Sequence, residues 1–268
     1  MDNMPISPRI ARPLLALLAA IIVSAALRPL NPWLPYAAAT AWLAVLQLHL
    51  ARSSWQNVAL FALVWLVFPL LKAVNAYWLA WHADGLLSAA DSALWGGKIL
   101  PAYFRYEDFP LAADVFAACY FAFFFTVAGA SAYYAVRRRA SAPAFFNGLL
   151  GIYLFGLMGY LLLPAAGPAF TTLPDGGARG LIAPHVIAVV NDGVTGMDVF
   201  PSLHTALPLF ITAFLWRDGC CKTALALLPV SLGIVGATVF LRYHYGVDVL
   251  VGILLAAAFA WRYAPKTA

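Results

Sequence analysis

Two histidines and an aspartate lie in two short polar clusters of an otherwise apolar sequence. His204 belongs to the cluster FPSLHTA, and His244 and Asp248 belong to the cluster RYHYGVDVLVG. The apolar run 224–241 separates the clusters, so two helices joined by a turn would return both histidines to one face of a membrane. Such a set suits nucleophilic phosphoryl transfer. One imidazole can attack phosphorus, the carboxylate can orient it, and the other imidazole can protonate the leaving oxygen.

The first cluster has the features of a helix start. Pro201 suits the entry to a helix, and Ser202 can cap it. The amide groups at a helix N-terminus favour an anion such as phosphate, and a histidine in that turn can donate a proton to it. The alternative interpretation is that His204 is an interfacial histidine in contact with lipid headgroups.

The second cluster places a carboxylate one helical turn beyond a histidine. His244 and Asp248 can therefore lie on one face, where the carboxylate would fix the imidazole tautomer and leave the other ring nitrogen free to attack. Placing an aspartate at the end of an apolar span costs free energy unless the carboxylate has a partner. His244 is the obvious partner of Asp248. Arg242 can bind phosphate oxygens through its planar fork, although an arginine that snorkels to the interface is an equally good interpretation.

The composition indicates an integral membrane protein with an all-α fold. Of the 268 residues, 64% are hydrophobic and only 10% are charged, and the mean hydropathy is +0.85. Soluble domains are usually about a quarter charged. The net charge of +5 comes from basic residues that flank apolar runs, which indicates membrane topology rather than nucleic-acid binding.

About eight apolar runs are near the length that a helix needs to cross a bilayer, which is about 20 residues. The sixth run is short, so we expect it to begin inside the protein rather than at the lipid surface. The sequence shows no internal repeat, and we divide it into two N-terminal helices, residues 1–56, and a membrane-embedded core, residues 57–268. The predicted spans are approximately 13–28, 35–51, 57–81, 110–135, 143–163, 202–216, 224–241 and 246–263.

The positions of Lys and Arg predict the orientation. If successive spans cross the membrane in alternate directions, ten of the 16 basic residues lie on one side of it and five on the other. Lys72 lies inside the third span. The side with ten should be cytoplasmic. Both termini are then cytoplasmic, and both histidine clusters face a periplasm, a cell exterior or a lumen. An intramembrane lysine is a candidate functional residue, but Lys72 can also snorkel or pair with a carboxylate such as Asp114.

Two outer segments are long enough to have structure of their own. Residues 84–109 resemble a short amphipathic helix at the interface, because apolar side chains recur among polar and glycine positions. Residues 164–201 are rich in Gly and Pro, which predicts a loop with fixed turns that leads into the first histidine cluster.

The remaining residues form no motif for a metal or a cofactor. The sequence contains no zinc-type spacing, no Gly-rich nucleotide loop and no G-x-S-x-G elbow, so we expect chemistry without either. His49 and His82 suit interfacial anchors, and His185 has no partner at a recognisable spacing. The three cysteines form no disulfide framework and are expected to be free thiols.

The two clusters resemble the second and third signature motifs of the type-2 phosphatidic acid phosphatase superfamily. The resemblance is closest to its inositolphosphotransferase branch, which includes inositol phosphorylceramide synthases. It covers roughly residues 110–262, and the segment ADSALWGGKILPAYF, residues 90–104, adds to it. The lysine-containing first motif of the phosphatases is absent, and the segment 164–168 occupies its place. Thr238 stands where many members have an arginine, six residues before the nucleophile.

The resemblance implies a six-helix core with its site at the outer membrane face. It implies that His244 is the nucleophile that forms a phosphohistidine, that Asp248 orients His244, and that His204 is the general acid for the leaving group. The phosphate-binding candidates are Ser202 with its neighbouring amides, Gly167 and Arg242.

The expected function is a membrane enzyme that cleaves or transfers a phosphate-linked group of a lipid phosphate or phospholipid. Water as acceptor gives a lipid phosphatase, and a lipid alcohol gives a phosphotransferase. The motifs resemble the transferase branch most closely, which favours the transferase, whereas hydrolysis is the chemically easier reaction. One alternative is a multi-span transporter, although the sequence shows no inverted repeat. The other is an inactive membrane protein, although all three site residues are present.

The roles of the two histidines predict how the rate depends on pH. One imidazole must be neutral to attack while the other must be protonated to donate, so the pH–rate profile should be bell-shaped around mildly acidic to neutral values. The measurement is the rate of lipid phosphate turnover from about pH 5 to 8, and a flat profile across that range would argue against both roles.

Overall fold

A computed structural model gives the fold. It describes residues 7–27, 42, 56–71, 74–75, 81–173, 176–193 and 197–265. This part of the chain is helical and contains no β-strand, which confirms the predicted all-α class. The predicted span 35–51, apart from Trp42, lies outside the described residues, and so does Lys72. The helices are α1 (Pro8–Ala26), α2 (Gln56–Val67), α3 (Asp84–Leu94), α4 (Pro110–Val136), α5 (Ala142–Leu162), α6 (Ala183–Gly193), α7 (Leu203–Arg217), α8 (Cys221–Phe240) and α9 (Gly246–Tyr263).

Five of the described helices are long and apolar enough to cross a membrane, namely α1, α4, α5, α8 and α9. The protein is therefore a multi-pass membrane protein, as the composition predicts. The helix α7 has 15 residues and begins among the buried residues Ser202 and Leu203. This agrees with the expectation that the sixth span starts inside the protein.

The third predicted span differs from the continuous helix expected over 57–81. The helix α2 ends at Val67, and a turn follows at Phe68 and Pro69 before helical backbone resumes at Leu70. Proline has no backbone N–H and its ring collides with the preceding turn, so it interrupts a helix at this position. The run 57–81 is apolar on average, so its hydropathy alone did not reveal the break.

The helix α7 occupies the centre of the bundle and contacts α4, α5, α8 and α9. Its Phe210 and Phe214 are fully buried and pack against Phe145 of α5 at ring-centroid distances of 5.9 and 5.4 Å. Lipid tails are as apolar as these rings, so close packing rather than escape from water holds such helices together. The contacts fix α7, which carries His204, on several sides.

The outer segment 164–201 contains the helix α6, so the prediction of an irregular loop is wrong over these eleven residues. Ala183, Ile187 and Val190 recur at helical spacing, are buried, and pack against α4. The Gly and Pro content of the flanking residues hid this short apolar repeat from the sequence analysis.

Asp114 of α4 fixes the start of α6. Its carboxylate accepts hydrogen bonds from the amide groups of Leu181 at 2.9 Å and of Ile182 and Ala183 at 2.8 Å each. The first amide groups of a helix have no partner within it, and a carboxylate there also meets the positive end of the helix dipole. This is a structural role for the residue that the sequence suggested as a partner of Lys72.

Candidate active site

The two histidine clusters meet at one place in the bundle, as the hairpin predicts. The ring centroids of His204 and His244 are 5.9 Å apart, and the ring planes are inclined at 55°. His204 lies in the first turn of α7, and His244 lies in the connection between α8 and α9. A group held between the rings would be within reach of both imidazoles, as acid–base and nucleophilic roles require.

Backbone contacts hold the two clusters together. The Ser202 amide donates to the Asp248 carbonyl at 3.3 Å, and the Ser202 hydroxyl caps α7 by accepting from the Thr205 amide at 3.2 Å. The predicted capping role of Ser202 is thereby confirmed. A Cβ atom at Gly252 would lie 2.7 Å from the Ser202 carbonyl oxygen. Glycine at 252 thus allows α9 to approach the start of α7.

Asp248 and His244 face each other in a buried environment. The Nδ1 atom of His244 is 3.6 Å from Oδ2 of Asp248, and the residues are 3% and 0% exposed. This distance is longer than a hydrogen bond, and Oδ2 accepts instead from the Tyr245 amide at 3.0 Å. Catalytic hydrogen bonds are often long until substrate binds. Nδ1 of His244 is therefore the ring nitrogen that faces the carboxylate, and Nε2 is the other ring nitrogen.

The backbone just before His244 ends α8 in a Schellman motif. The Arg242 amide donates to the Val239 carbonyl at 3.0 Å, and the Tyr243 amide donates to the Thr238 carbonyl at 2.9 Å. Arg242 consequently adopts the left-handed conformation, with φ at 64°, where glycine is usual. A side chain at such a position costs about 1–2 kcal/mol, so other contacts of Arg242 must offset that cost.

Glu107 supplies the main contact of the Arg242 side chain. The guanidinium donates from Nη1 to Oε1 at 2.6 Å and from Nη2 to Oε2 at 2.9 Å. Its carbon Cζ also lies 4.6 Å from the centroid of the Tyr106 ring. A planar fork pairs with a carboxylate as it would with a phosphate. Phosphate binding by Arg242 stays a prediction, and a phosphate that used this fork would have to displace or share Glu107.

Gly167 lies against the same turn. Its φ is 94°, and a Cβ atom there would lie 2.5 Å from the Tyr243 carbonyl oxygen, so this position requires glycine. Its amide group donates to Oδ1 of Asp84 at 2.8 Å. The amide therefore already has an anionic partner within the protein, and phosphate binding at Gly167 stays a prediction.

Asp84 connects the segment 164–168 to the segment that carries His244. Its carboxylate is 8% exposed and accepts from the amides of Ala166 at 2.9 Å and Gly167 at 2.8 Å. It also accepts from the Tyr245 hydroxyl at 3.0 Å. Burial raises the pKa of the Tyr245 phenol above its usual value, so this group stays protonated and remains a donor.

Asp91 makes the equivalent connection to the start of α9. It is fully buried and accepts from the Val247 amide at 2.7 Å, the Leu100 amide at 2.7 Å and the Trp95 indole at 3.0 Å. Val247 lies in the first turn of the helix that carries Asp248. Asp91 therefore satisfies one of the amide groups that a helix start leaves without a partner.

The sequence analysis missed both carboxylates, although a signal was present. The helix predicted within residues 84–109 is confirmed as α3, and its buried residues are Asp84, Leu87 and Asp91. Their spacing of three and four places them on one face of the helix. Two acidic residues on the same face as a leucine are unusual for a surface helix, and this pattern points to a buried polar contact.

The two other histidines that the structure describes do not join the site. His82 and His185 are exposed, and His49 lies outside the described residues. Across the described ranges, no three His, Cys, Asp or Glu side chains are grouped so that they could hold a metal ion.

Comparison with known proteins identifies the family of the chain. Residues 86–262 match the PAP2 superfamily, and this match covers most of the chain. The chain belongs to the PAP2 superfamily, and this membership supports a phosphatase- or phosphotransferase-type lipid enzyme. No curated protein and no solved structure matches the chain.

Replacing either buried carboxylate by its amide tests whether α3 positions the site. Each carboxylate accepts three hydrogen bonds, and an amide nitrogen in place of one oxygen leaves a buried donor unsatisfied, at about 1–3 kcal/mol. Asp84→Asn and Asp91→Asn should each lower kcat roughly tenfold or more. The measurement is turnover of a lipid phosphate by the purified variants.

The matched control is Asp108→Asn, because the Asp108 side chain is 50% exposed and forms only a surface ion pair with Arg105. It should retain the wild-type rate. Wild-type kcat in both Asp84→Asn and Asp91→Asn would show that α3 does not position the catalytic residues.

Proposed function

We propose that this protein cleaves or transfers a phosphate-linked group of a lipid through a phosphohistidine formed on His244. The observation that carries the proposal is the pair of imidazoles, His204 and His244, 5.9 Å apart with Asp248 buried beside the second. Membership of the PAP2 superfamily supports the class of reaction and the lipid substrate.

In the proposed first step, Nε2 of His244 attacks phosphorus while the bond from phosphorus to the leaving oxygen breaks. His204 donates its proton to that oxygen, so the leaving group departs as a neutral alcohol. The nitrogen that forms the new bond acquires positive charge, and the Asp248 carboxylate 3.6 Å from Nδ1 stabilises that charge. In the second step the acceptor hydroxyl attacks phosphorus, His204 takes its proton, and His244 is released.

The phosphate oxygens need positive partners in both steps. We propose that the amide groups at the start of α7, with Ser202, supply them, because the free amides and dipole of a helix N-terminus favour an anion. Arg242 is the nearest candidate cation in sequence, two residues before the nucleophile, and Gly167 lies against the same turn.

For the acceptor, we propose a lipid alcohol and a transfer reaction like that of the inositolphosphotransferase branch. The support is that the motifs resemble that branch most closely, because the segment 164–168 stands in place of a lysine-containing first motif. Hydrolysis, with water as acceptor, is the other outcome of the same chemistry. A transporter and an inactive protein are the remaining alternatives, and the facing histidines favour an enzyme over both.

The test of the function is turnover of a panel of lipids by the purified protein beside His244→Ala. The panel contains phosphatidic acid, a polyprenyl diphosphate, and phosphatidylinositol with added ceramide, and the products are followed by mass spectrometry. We expect activity to fall by several orders of magnitude in His244→Ala, because the nucleophile is lost.

The control variant is His185→Ala, which removes an exposed histidine outside the site and should keep the wild-type rate. Free phosphate as the product would identify a phosphatase, and a new phospholipid without free phosphate would identify a transferase. Equal turnover by wild type and His244→Ala would refute the phosphohistidine.

We also propose that the site faces the outer side and both termini the cytoplasm, on the distribution of basic residues. A maleimide that cannot cross membranes tests this in cells. Cys221 is exposed at the start of α8 and should react only after permeabilisation, with Cys221→Ser as control. Leu181 is 86% exposed in the outer segment, so Leu181→Cys should react in intact cells. Labelling of Cys221 in intact cells would reverse the orientation.

A further inference from the structure

One acidic residue, Asp198, lies beside His204 in a cavity whose wall is otherwise mainly aromatic. The cavity is a cleft of about 480 Å³, and both Asp198 and His204 line it. Among the described residues of its wall, Asp198 is the only acid, and there is no lysine or arginine. Asp198 lies six residues before His204, in the segment that leads into α7. The acid and the imidazole therefore border one and the same space.

Two tyrosines connect Asp198 with the start of α7. The ring of Tyr120 stacks on the ring of His204, with the centroids 4.5 Å apart and the planes inclined at 16°. The hydroxyl of Tyr160 interacts with the backbone amide of Leu203, the residue before His204. The negative charge of Asp198 acts on the phenols of both tyrosines. Asp198 is therefore within electrostatic reach of the groups that hold His204 in place.

His204 needs a negative partner if it is the proton donor. The proposed mechanism requires that His204 carries a proton, and hence a positive charge, before the leaving oxygen departs. Its Nε2 atom is buried and has no hydrogen-bond partner within the described ranges, and the centroid of the Phe123 ring is only 4.1 Å away. His244, at 5.9 Å, gains positive charge during its attack, which opposes a second positive charge nearby. A buried charge without a partner is costly, so a protonated His204 calls for a carboxylate.

The other carboxylates near the site are engaged elsewhere. Asp248 lies 3.6 Å from Nδ1 of His244, and its Oδ2 atom accepts from a backbone amide at 3.0 Å. Asp84 and Asp91 accept from the amide groups of the segments that surround His244. None of these three residues lines the cleft. Asp198 is the acid on the other side of the site, where the proton donor lies.

We propose that Asp198 is a positioning residue that acts through His204, because its negative charge keeps His204 protonated until the leaving oxygen takes the proton. This inference rests on the proposed function. In the step, Nε2 of His244 forms a bond to phosphorus, and the electron pair of the phosphorus–oxygen bond goes to the leaving oxygen. That oxygen takes the proton of His204. Asp198 forms no bond and takes up no proton, so its charge is the same before and after the step.

The groups around His204 act on its proton in opposite directions. Tyrosines are neutral between about pH 5 and 8, so His244, Asp248 and Asp198 are the groups that bring charge in this range. A positive charge on His244 opposes a proton on His204, whereas the carboxylates favour it. The titratable residues that face His204, border its cleft or pack behind Tyr120 are Tyr120 of α4, Tyr153 and Tyr160 of α5, Asp198, Tyr243, His244 and Asp248.

Leaving groups that differ in basicity test the role of Asp198. An alkoxide needs a proton to leave, whereas a nitrophenolate is a weak base and leaves without one. The purified protein is assayed with decyl phosphate and with 4-octyl-2-nitrophenyl phosphate, and kcat/KM is compared because it reports the step in which the leaving group departs. Asp198→Asn should lower kcat/KM about tenfold for decyl phosphate and by no more than about twofold for the nitrophenyl ester.

The pH–rate profile with decyl phosphate gives a readout that a purely structural role would not move. The alkaline limb of the bell reports the loss of the proton from His204. A carboxylate favours the protonated imidazole, so Asp198→Asn should move this limb to lower pH by about one unit. The acidic limb belongs to His244 and should stay in place. Asp198→Glu keeps the charge and should restore the alkaline limb and most of the rate.

Two further variants serve as controls. Asp108→Asn removes a carboxylate whose side chain is 50% exposed and outside the cleft, and it should change neither ester nor the profile. His204→Ala removes the group through which Asp198 acts. Adding Asp198→Asn to His204→Ala should therefore cause no further loss on decyl phosphate, whereas residues that act independently would give additive losses.

The outcomes separate this inference from the proposed function. Equal losses on the two esters in Asp198→Asn, an unmoved alkaline limb, or additive losses in the double variant would each overturn the inference and leave the phosphohistidine standing. Turnover that survives in His244→Ala, or no turnover of either ester by the wild type, would instead overturn the proposed function and the inference with it.

Discussion

Irregular backbone inside a membrane protein must find its hydrogen bonds within the protein, because lipid offers none. The segment around Gly167 and the connection that carries His244 are both irregular and largely buried. Asp84 accepts hydrogen bonds from the amides of Ala166 and Gly167 and from the Tyr245 hydroxyl, and Asp91 accepts from the Val247 amide in the first turn of α9. The position of His244 therefore depends on two acidic residues of α3.

The charges of the site are arranged in pairs. Arg242 is held by Glu107 in a fork with both distances below 3 Å, and this contact accompanies a left-handed backbone at the end of α8. Asp248 lies beside His244 without a hydrogen bond to it, and instead holds the Tyr245 amide. Buried ions without such partners are costly. The pairing lets a carboxylate, an arginine and two imidazoles share one end of an apolar bundle.

The site is asymmetric around the two histidines. On one side, His244 and Asp248 lie among backbone turns and buried carboxylates. On the other side, His204 stacks on Tyr120 and borders an aromatic cleft. A nucleophile needs a fixed orientation, and a proton donor must also admit the group that leaves. The surroundings of the two rings are consistent with the different roles proposed for them.

The sequence by itself determined the membrane class and the helical fold, because hydropathy is a local property. It also predicted the pairing of His204 with His244, because two apolar helices joined by a short turn bring both residues back to one side of the membrane. Only the tertiary structure revealed Asp84, Asp91 and Glu107, whose partners are distant in the chain. Asp91 and Val247 are separated by 156 residues, and no periodicity records such a contact. The break in α2 and the helix α6 depend likewise on one proline and on packing against α4, which a hydropathy average conceals.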